Sequence, residues 1–190
     1  MGYRLVTPPA SLPVTVAEAK AHLRVDHNDE DEKIEALISA ATSYLDGRSG
    51  VLHRCIVAQT WELTLDEFPT EEIEILLGPV QSVAAVTYVD LSGATQTISD
   101  TDYYVDLTSP TAWIVPQIEW PNTMQAANAV AVSFVAGTSV SNVPAAIKHA
   151  ILLLVGHWFD NRNAVNVGNI SSSLPFTVDA LITPFRRIYI

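Results

Sequence analysis

Residues 144–162, PAAIKHAILLLVGHWFDNR, constrain this chain more than any other stretch. Pro144 suits the first turn of a helix, where its missing N–H costs nothing. Ile147, Ala150, Ile151, Leu154 and Trp158 recur at three- and four-residue steps and share one face. Leu152 and Phe159 fall on the flank, and Leu153 falls on another side. Before the closing Asp160–Arg162, only Lys148, His149 and His157 are polar. A helix apolar nearly all round has to be covered on several sides. It is too short, and too polar at its ends, to span a bilayer. The cover therefore comes from the rest of the chain or from a neighbouring subunit.

The rest of the chain changes hydrophobic period twice. Thr15 followed by Glu18 is a capping-box pattern, and it predicts a helix over Val16–Leu23. Asp29 or Asp31 is expected to cap a longer helix running to Asp46, with Ile34, Leu37, Ile38, Ala41, Tyr44 and Leu45 as its apolar stripe. Gly47 and Gly50 are its candidate stops. From Cys55 the pattern alternates instead. Gln59–Asp66 sets Trp61, Leu63 and Leu65 against Thr60, Glu62 and Thr64. Further strands are predicted over 72–77, 83–89, 95–98, 103–107, 113–115 and 129–135, with Asp90–Gly93 as a turn. Residues 136–142 return the chain to helix, an Asn/Ser/Gly-rich segment covers 163–175, and a short last helix is expected around Leu181–Phe185, where Pro184 kinks or ends it.

This order predicts an α+β fold. Residues 1–54 and 140–190 form a helical lobe, and 55–139 form an inserted lobe of mostly antiparallel strands. Charge follows the same division. The net charge is −11, and residues 55–139 hold eleven acids and no Lys or Arg. Such a lobe repels nucleic acid. The single cysteine, Cys55, excludes an internal disulfide framework, and the first residues do not read as a signal peptide. Synthesis in a reducing, intracellular place fits both.

No catalytic constellation emerges. His149 and His157 sit about 80° apart around a helix and about 12 Å apart along it, too far to share a metal. They read as core or interface histidines. Asn28–Glu32 lacks the glycine and terminal glutamate of a calcium loop and reads as a solvated helix start. The chain has no nucleophile elbow, no phosphate-cradling glycine loop and no zinc motif. Cys55 reads as a small buried hydrophobe. Trp61, Trp113 and Trp120 read as core aromatics of a small sheet in preference to a ligand groove. Neither an enzyme, nor a metal site, nor a cofactor is expected.

Several segments in order carry a resemblance: Val16–Val25 (VAEAKAHLRV) with its acidic loop, Gln59–Pro69 (QTWELTLDEFP), Gly78–Val83 (GPVQSV), Tyr103–Asp106 (YYVD), Trp120-Pro121 and Val143–Arg162. Together, from Val14 to Phe185, they resemble the head–tail connector (adaptor) proteins of long-tailed phages and gene transfer agents. The resemblance implies a non-enzymatic structural protein of the virion's head–tail junction. It implies a closed ring of about twelve copies under the portal, contact with a stopper or tail-completion protein, and DNA passing through without sequence-specific binding. No membrane partner is implied. The resemblance points to Leu152, Leu153 and Phe159 as candidates for contact with a neighbouring subunit. Ile147, Ile151, Leu154 and Trp158 are then the inward set. It offers Phe185, Arg186, Arg187 and Tyr189 as portal-docking candidates, against the alternative of a C-terminal helix packed on its own lobe. The other functional reading is an acidic protein-interaction or ligand-binding module without enzymatic activity.

Overall fold

The computed structural model describes residues 1–109, 111–161 and 176–187. The fold is α+β, and the chain divides into two compact units. One unit comprises Met1–Ala10 and Val57–Thr138. The other comprises Ser11–Ile56 and the described residues from Ser139 on.

The strand-rich unit contains β1 (Gly2–Thr7), β2 (Gln59–Leu65), β3 (Ile73–Ile75), β4 (Val80–Val89), β5 (Thr95–Thr97), β6 (Tyr103–Asp106), β7 (Ala112–Pro116) and β8 (Val130–Ala136). They form an antiparallel five-stranded sheet in the order β1-β2-β8-β4-β5 and an antiparallel three-stranded sheet in the order β3-β7-β6. Alternation decides which side chains go inward. Leu63, Val86, Val132 and Phe134 are buried from the first sheet, and Ile73, Ile75 and Ile114 from the second. Tyr3 joins the layers. Its ring meets Phe134 edge-on at 6.2 Å, and its hydroxyl accepts the Leu76 N–H at 3.0 Å. Gly137 follows β8 at φ 108°. A Cβ there would strike the Val57 carbonyl, so only glycine lets the two backbones pass.

The strand β1 departs from expectation. Residues 1–54 are expected in the helical lobe, yet Gly2–Thr7 pairs with β2 and belongs to the strand-rich unit. Its residues from Arg4 to Thr7 are exposed, so no alternating burial marks it in the sequence. It is held by backbone pairing and by the ion pair of Arg4 with Glu62 at 2.9 Å.

The helical unit contains α1 (Val16–Leu23), α2 (Asp31–Leu45), α3 (Ala145–Asp160) and α4 (Phe176–Ile182), with single 3-10 turns at Val140–Asn142 and Thr183–Phe185. The capping box of α1 is formed: Thr15 Oγ1 accepts the Glu18 N–H at 3.1 Å, and Glu18 Oε2 accepts the Thr15 N–H at 2.7 Å. The Thr15 N–H and, next, the Thr15 hydroxyl, which donates to Glu18 Oε2 at 2.8 Å, hold the Glu18 carboxyl below its ordinary value. Arg24, at φ 58°, ends the helix in the left-handed region. The cap of α2 is a correction. Glu30 occupies the N-cap position, not Asp29 or Asp31, and it makes no side-chain capping bond. Asp31 instead takes an ion pair from Lys20 at 2.7 Å. At the other end Gly47, at φ 76°, supplies the stop. Gly50 is enclosed by the Leu45 and Asp46 backbone. Pro144 is the N-cap of α3, one position before the helical turn expected of it.

Candidate assembly surfaces

The central helix α3 packs on α1, α2 and α4. Ile147, Ala150, Ile151, Leu154 and Val155 are buried. From α2 come Ile34, Ile38, Ala41 and Leu45, and from α4 Val178 and Ile182. Thr42 is buried among them because its hydroxyl donates to the Ile38 carbonyl at 2.8 Å, within its own helix. Gly156 lets α1 approach, with the His22 ring 3.5 Å from where a Cβ would stand.

Two details differ from the expected inward set. Val155 is buried, and Trp158 is only half-buried. The indole lies edge-on to Tyr44 at 6.4 Å, and Tyr44 itself is 40% exposed. This pair marks the edge of the core, with Trp158 in the last turn of α3. Of the three residues singled out for a neighbouring subunit, Leu152, Leu153 and Phe159 are all half-buried. Phe159 has a companion within its own unit that no sequence spacing reveals: Lys33 Nζ lies 4.6 Å from its ring centroid.

His149 is exposed and meets His22 edge-on at 6.1 Å. His157 is also exposed, and its carbonyl accepts the Asn161 amide at 2.8 Å. Neither histidine joins a group of three metal-ligating side chains among the described residues. Cys55 is buried.

The C-terminal segment after α4 folds back on this unit. The Arg187 N–H donates to the Leu52 carbonyl at 2.9 Å. Arg186 is tied to Asp179 at 2.9 Å, and Phe185, Arg186 and Arg187 are half-buried. Tyr189 lies outside the described residues, as does the Asn/Ser-rich segment. Arg54 joins this basic end of the unit. Burial pushes its guanidinium below the ordinary arginine value, and the nearby positive charge of Arg187 adds to the effect. The Nε atoms of Arg54 and Arg186 are buried with no hydrogen-bond partner among the described residues.

The strand-rich unit carries eleven acids and a single base, Arg4. Asp90 closes the β4–β5 turn. Its carboxylate accepts the Ser92 hydroxyl, the Gln96 amide and the Ala94 N–H, which together lower its pKa from 3.8 to about 2. Asp106 accepts from Thr108 and Ser109 in a similar turn and is lowered likewise. These are local turn locks, and they account for two of the eleven acids of this unit. No helix of the described residues is long and apolar enough to cross a membrane.

Comparison with known proteins supplies what the surfaces alone leave open. The chain is similar in fold to a protein in the neck of an empty gene transfer agent (GTA) particle, computed with C6 symmetry. That match has 22% identity and a TM-score of 0.79, and covers 100% of this chain and 97% of that one. The virion of a native GTA particle gives the same values. The neck of a native GTA particle computed with C12 symmetry gives 21% identity and a TM-score of 0.69, with the same coverage. Among curated proteins no match is found. The head completion protein (HCP) model matches residues 14–188, nearly the whole chain. The chain therefore belongs to the head completion protein family, a family of structural virion components.

Proposed function

We propose that this protein is a head–tail connector of a phage-like particle. Copies close into a ring of about twelve below the portal, by a heterologous contact repeated around one axis. The observation that carries this reading is the family match over residues 14–188. Folds of this kind in GTA necks computed with six- and twelve-fold symmetry support the ring. So does α3, which keeps Leu152, Leu153 and Phe159 partly open after its own unit has packed. These three side chains meet the neighbouring subunit. The strand-rich unit, acidic and nearly free of bases, lets DNA pass without holding it. The role is structural, with no reaction to catalyse. A stopper or tail-completion protein occupies the opposite side of the ring.

The segment around Phe185, Arg186, Arg187 and Tyr189 docks on the portal. Arg and Tyr are favoured anchors at protein interfaces. The test is to mix purified protein with its portal at about 1 μM and examine the mixture by negative stain. Rings stacked on portals are expected. Bare portals and free monomers would sink the connector reading. A chain shortened by residues 184–190 is expected to lose portal binding. Unchanged binding by the shortened chain would leave those residues as packing for α4 alone.

A further inference from the structure

The strand-rich unit holds a groove to which the proposed connector contacts assign no part. The segment following β2 and the segment between β7 and β8 border a cavity of about 470 Å3. Two of its lining residues, Phe68 and Trp120, are aromatic and held in place. Phe68 and Trp120 stack at 4.7 Å with their planes 5° apart, and Tyr88 meets Phe68 edge-on at 5.7 Å. Trp120 Nε1 donates to the Glu71 carbonyl at 2.7 Å, which sets the indole's rotation. A second cavity of about 180 Å3 shares Glu119, Trp120 and Pro121 with the first. The indole thus borders two openings and is not buried in a core.

The rim is acidic. Asp66, Glu67 and Glu119 line the larger cavity, and Glu119 and Asp102 line the smaller. One oxygen of Asp66 is occupied by the Asn128 N–H at 2.8 Å. Glu67 and Glu119 are exposed and form no ion pair among the described residues. Nothing in the unit neutralises them, since its one base, Arg4, is engaged with Glu62.

We propose that this groove receives arginine or lysine side chains from a basic segment of a partner protein. A cation beside an aromatic face is attracted by the ring quadrupole, and a guanidinium also stacks flat on an indole. Carboxylates at the rim add salt-dependent attraction and fix the head group. Nucleic acid is repelled by the same charges, and a neutral saccharide would leave them unused. The volume suits two or three residues of a peptide.

The 190-residue chain carries four tryptophans, and an amide-correlation NMR spectrum gives one indole signal for each. Trp120→Phe identifies the relevant one. Titration with the blocked peptide Gly-Arg-Gly-Arg-Gly is expected to move the Trp120 signal and leave that of buried Trp61 in place. Glu67→Gln with Glu119→Gln is expected to weaken binding about fivefold, and about 0.5 M NaCl to weaken it similarly. Replacing both arginines by citrulline, which keeps the shape and removes the charge, is expected to weaken it about tenfold. The proposal is overturned if the Trp120 signal stays fixed at about 5 mM peptide. It is equally overturned if citrulline binds as well as arginine, or if maltotriose moves the signal while the arginine peptide does not.

Discussion

The two sides of α3 make separable demands, and a pair of variants tests them. Leu154 is 2% exposed among Ile147, Ile151 and Val155. Leu154→Ala removes three carbons from a closed site and is expected to cost about 3 kcal/mol. For a chain of this length that lowers the melting temperature by roughly 6–12 °C. Leu152 and Leu153 are half-buried, so the free subunit loses only part of their transfer energy. Changing both to Gln, a good helix former, is expected to cost about 1–2 kcal/mol for the pair. The surface they still expose becomes buried only against a neighbour. That missing contribution, about 2 kcal/mol per contact, weakens each association step roughly thirtyfold. Thermal unfolding by circular dichroism reads the first quantity. Ring occupancy on portals, counted in negative stain over a concentration series, reads the second. The expected result is a crossover: Leu154→Ala less stable but ring-competent below its melting point, the double variant nearly as stable as the parent but ring-deficient. Equal destabilisation by both would place Leu152 and Leu153 in the subunit core. An unchanged concentration dependence of ring formation would remove them from the interface.

Three further outcomes follow from local geometry. Thr15→Ala breaks the α1 cap and is expected to cost about 1 kcal/mol. Because the folded Glu18 carboxyl lies below its ordinary 4.5, the cap contributes fully above that value and fades as pH falls through the lowered one. The acid side of the stability–pH curve should therefore be flatter in the variant, as read by urea unfolding between neutral and acid pH. Gly137→Ala combines a left-handed backbone with a collision against the Val57 carbonyl, and is expected to destabilise the strand-rich unit by at least about 2 kcal/mol in the same assay. Asp90 should titrate near its depressed value of about 2 in carboxyl-carbon NMR, its turn-locking contribution present above the ordinary 3.8 and lost as pH falls towards 2. Ser92→Ala should move that midpoint upward.

Local patterns with a one-to-one physical cause were legible in the sequence. Thr15 and Glu18 predict a capping box because each side chain has one nearby N–H to reach, and both bonds form. The alternation of Gln59–Leu65 predicts a strand because one face must be buried, and Trp61 and Leu63 are. The α+β class and the connector resemblance follow from elements in order and do not depend on their edges. What escaped depends on the third dimension. The strand β1 is an edge strand defined by its partner, with four exposed residues and no pattern of its own. Trp158 shares a helical face with Leu154, yet Leu154 is buried and Trp158 only half-buried, which depends on how the other helices pack over that face. Lys33 and Phe159 meet across 126 positions, and spacing says nothing about them. Trp120 looks like any core aromatic until its stack with Phe68 and the cavity beside it are seen.

The division of the chain also has a mechanical meaning. Among the described residues the backbone passes between the two units three times, after Ala10, after Ile56 and after Thr138. A domain added at one end of another hangs from a single tether, and one proteolytic cut frees it. Here three covalent tethers act in parallel. A nick in any one leaves both units attached through the other two. For a part that joins a head to a tail, this is redundancy written into the chain path itself, independent of any side chain.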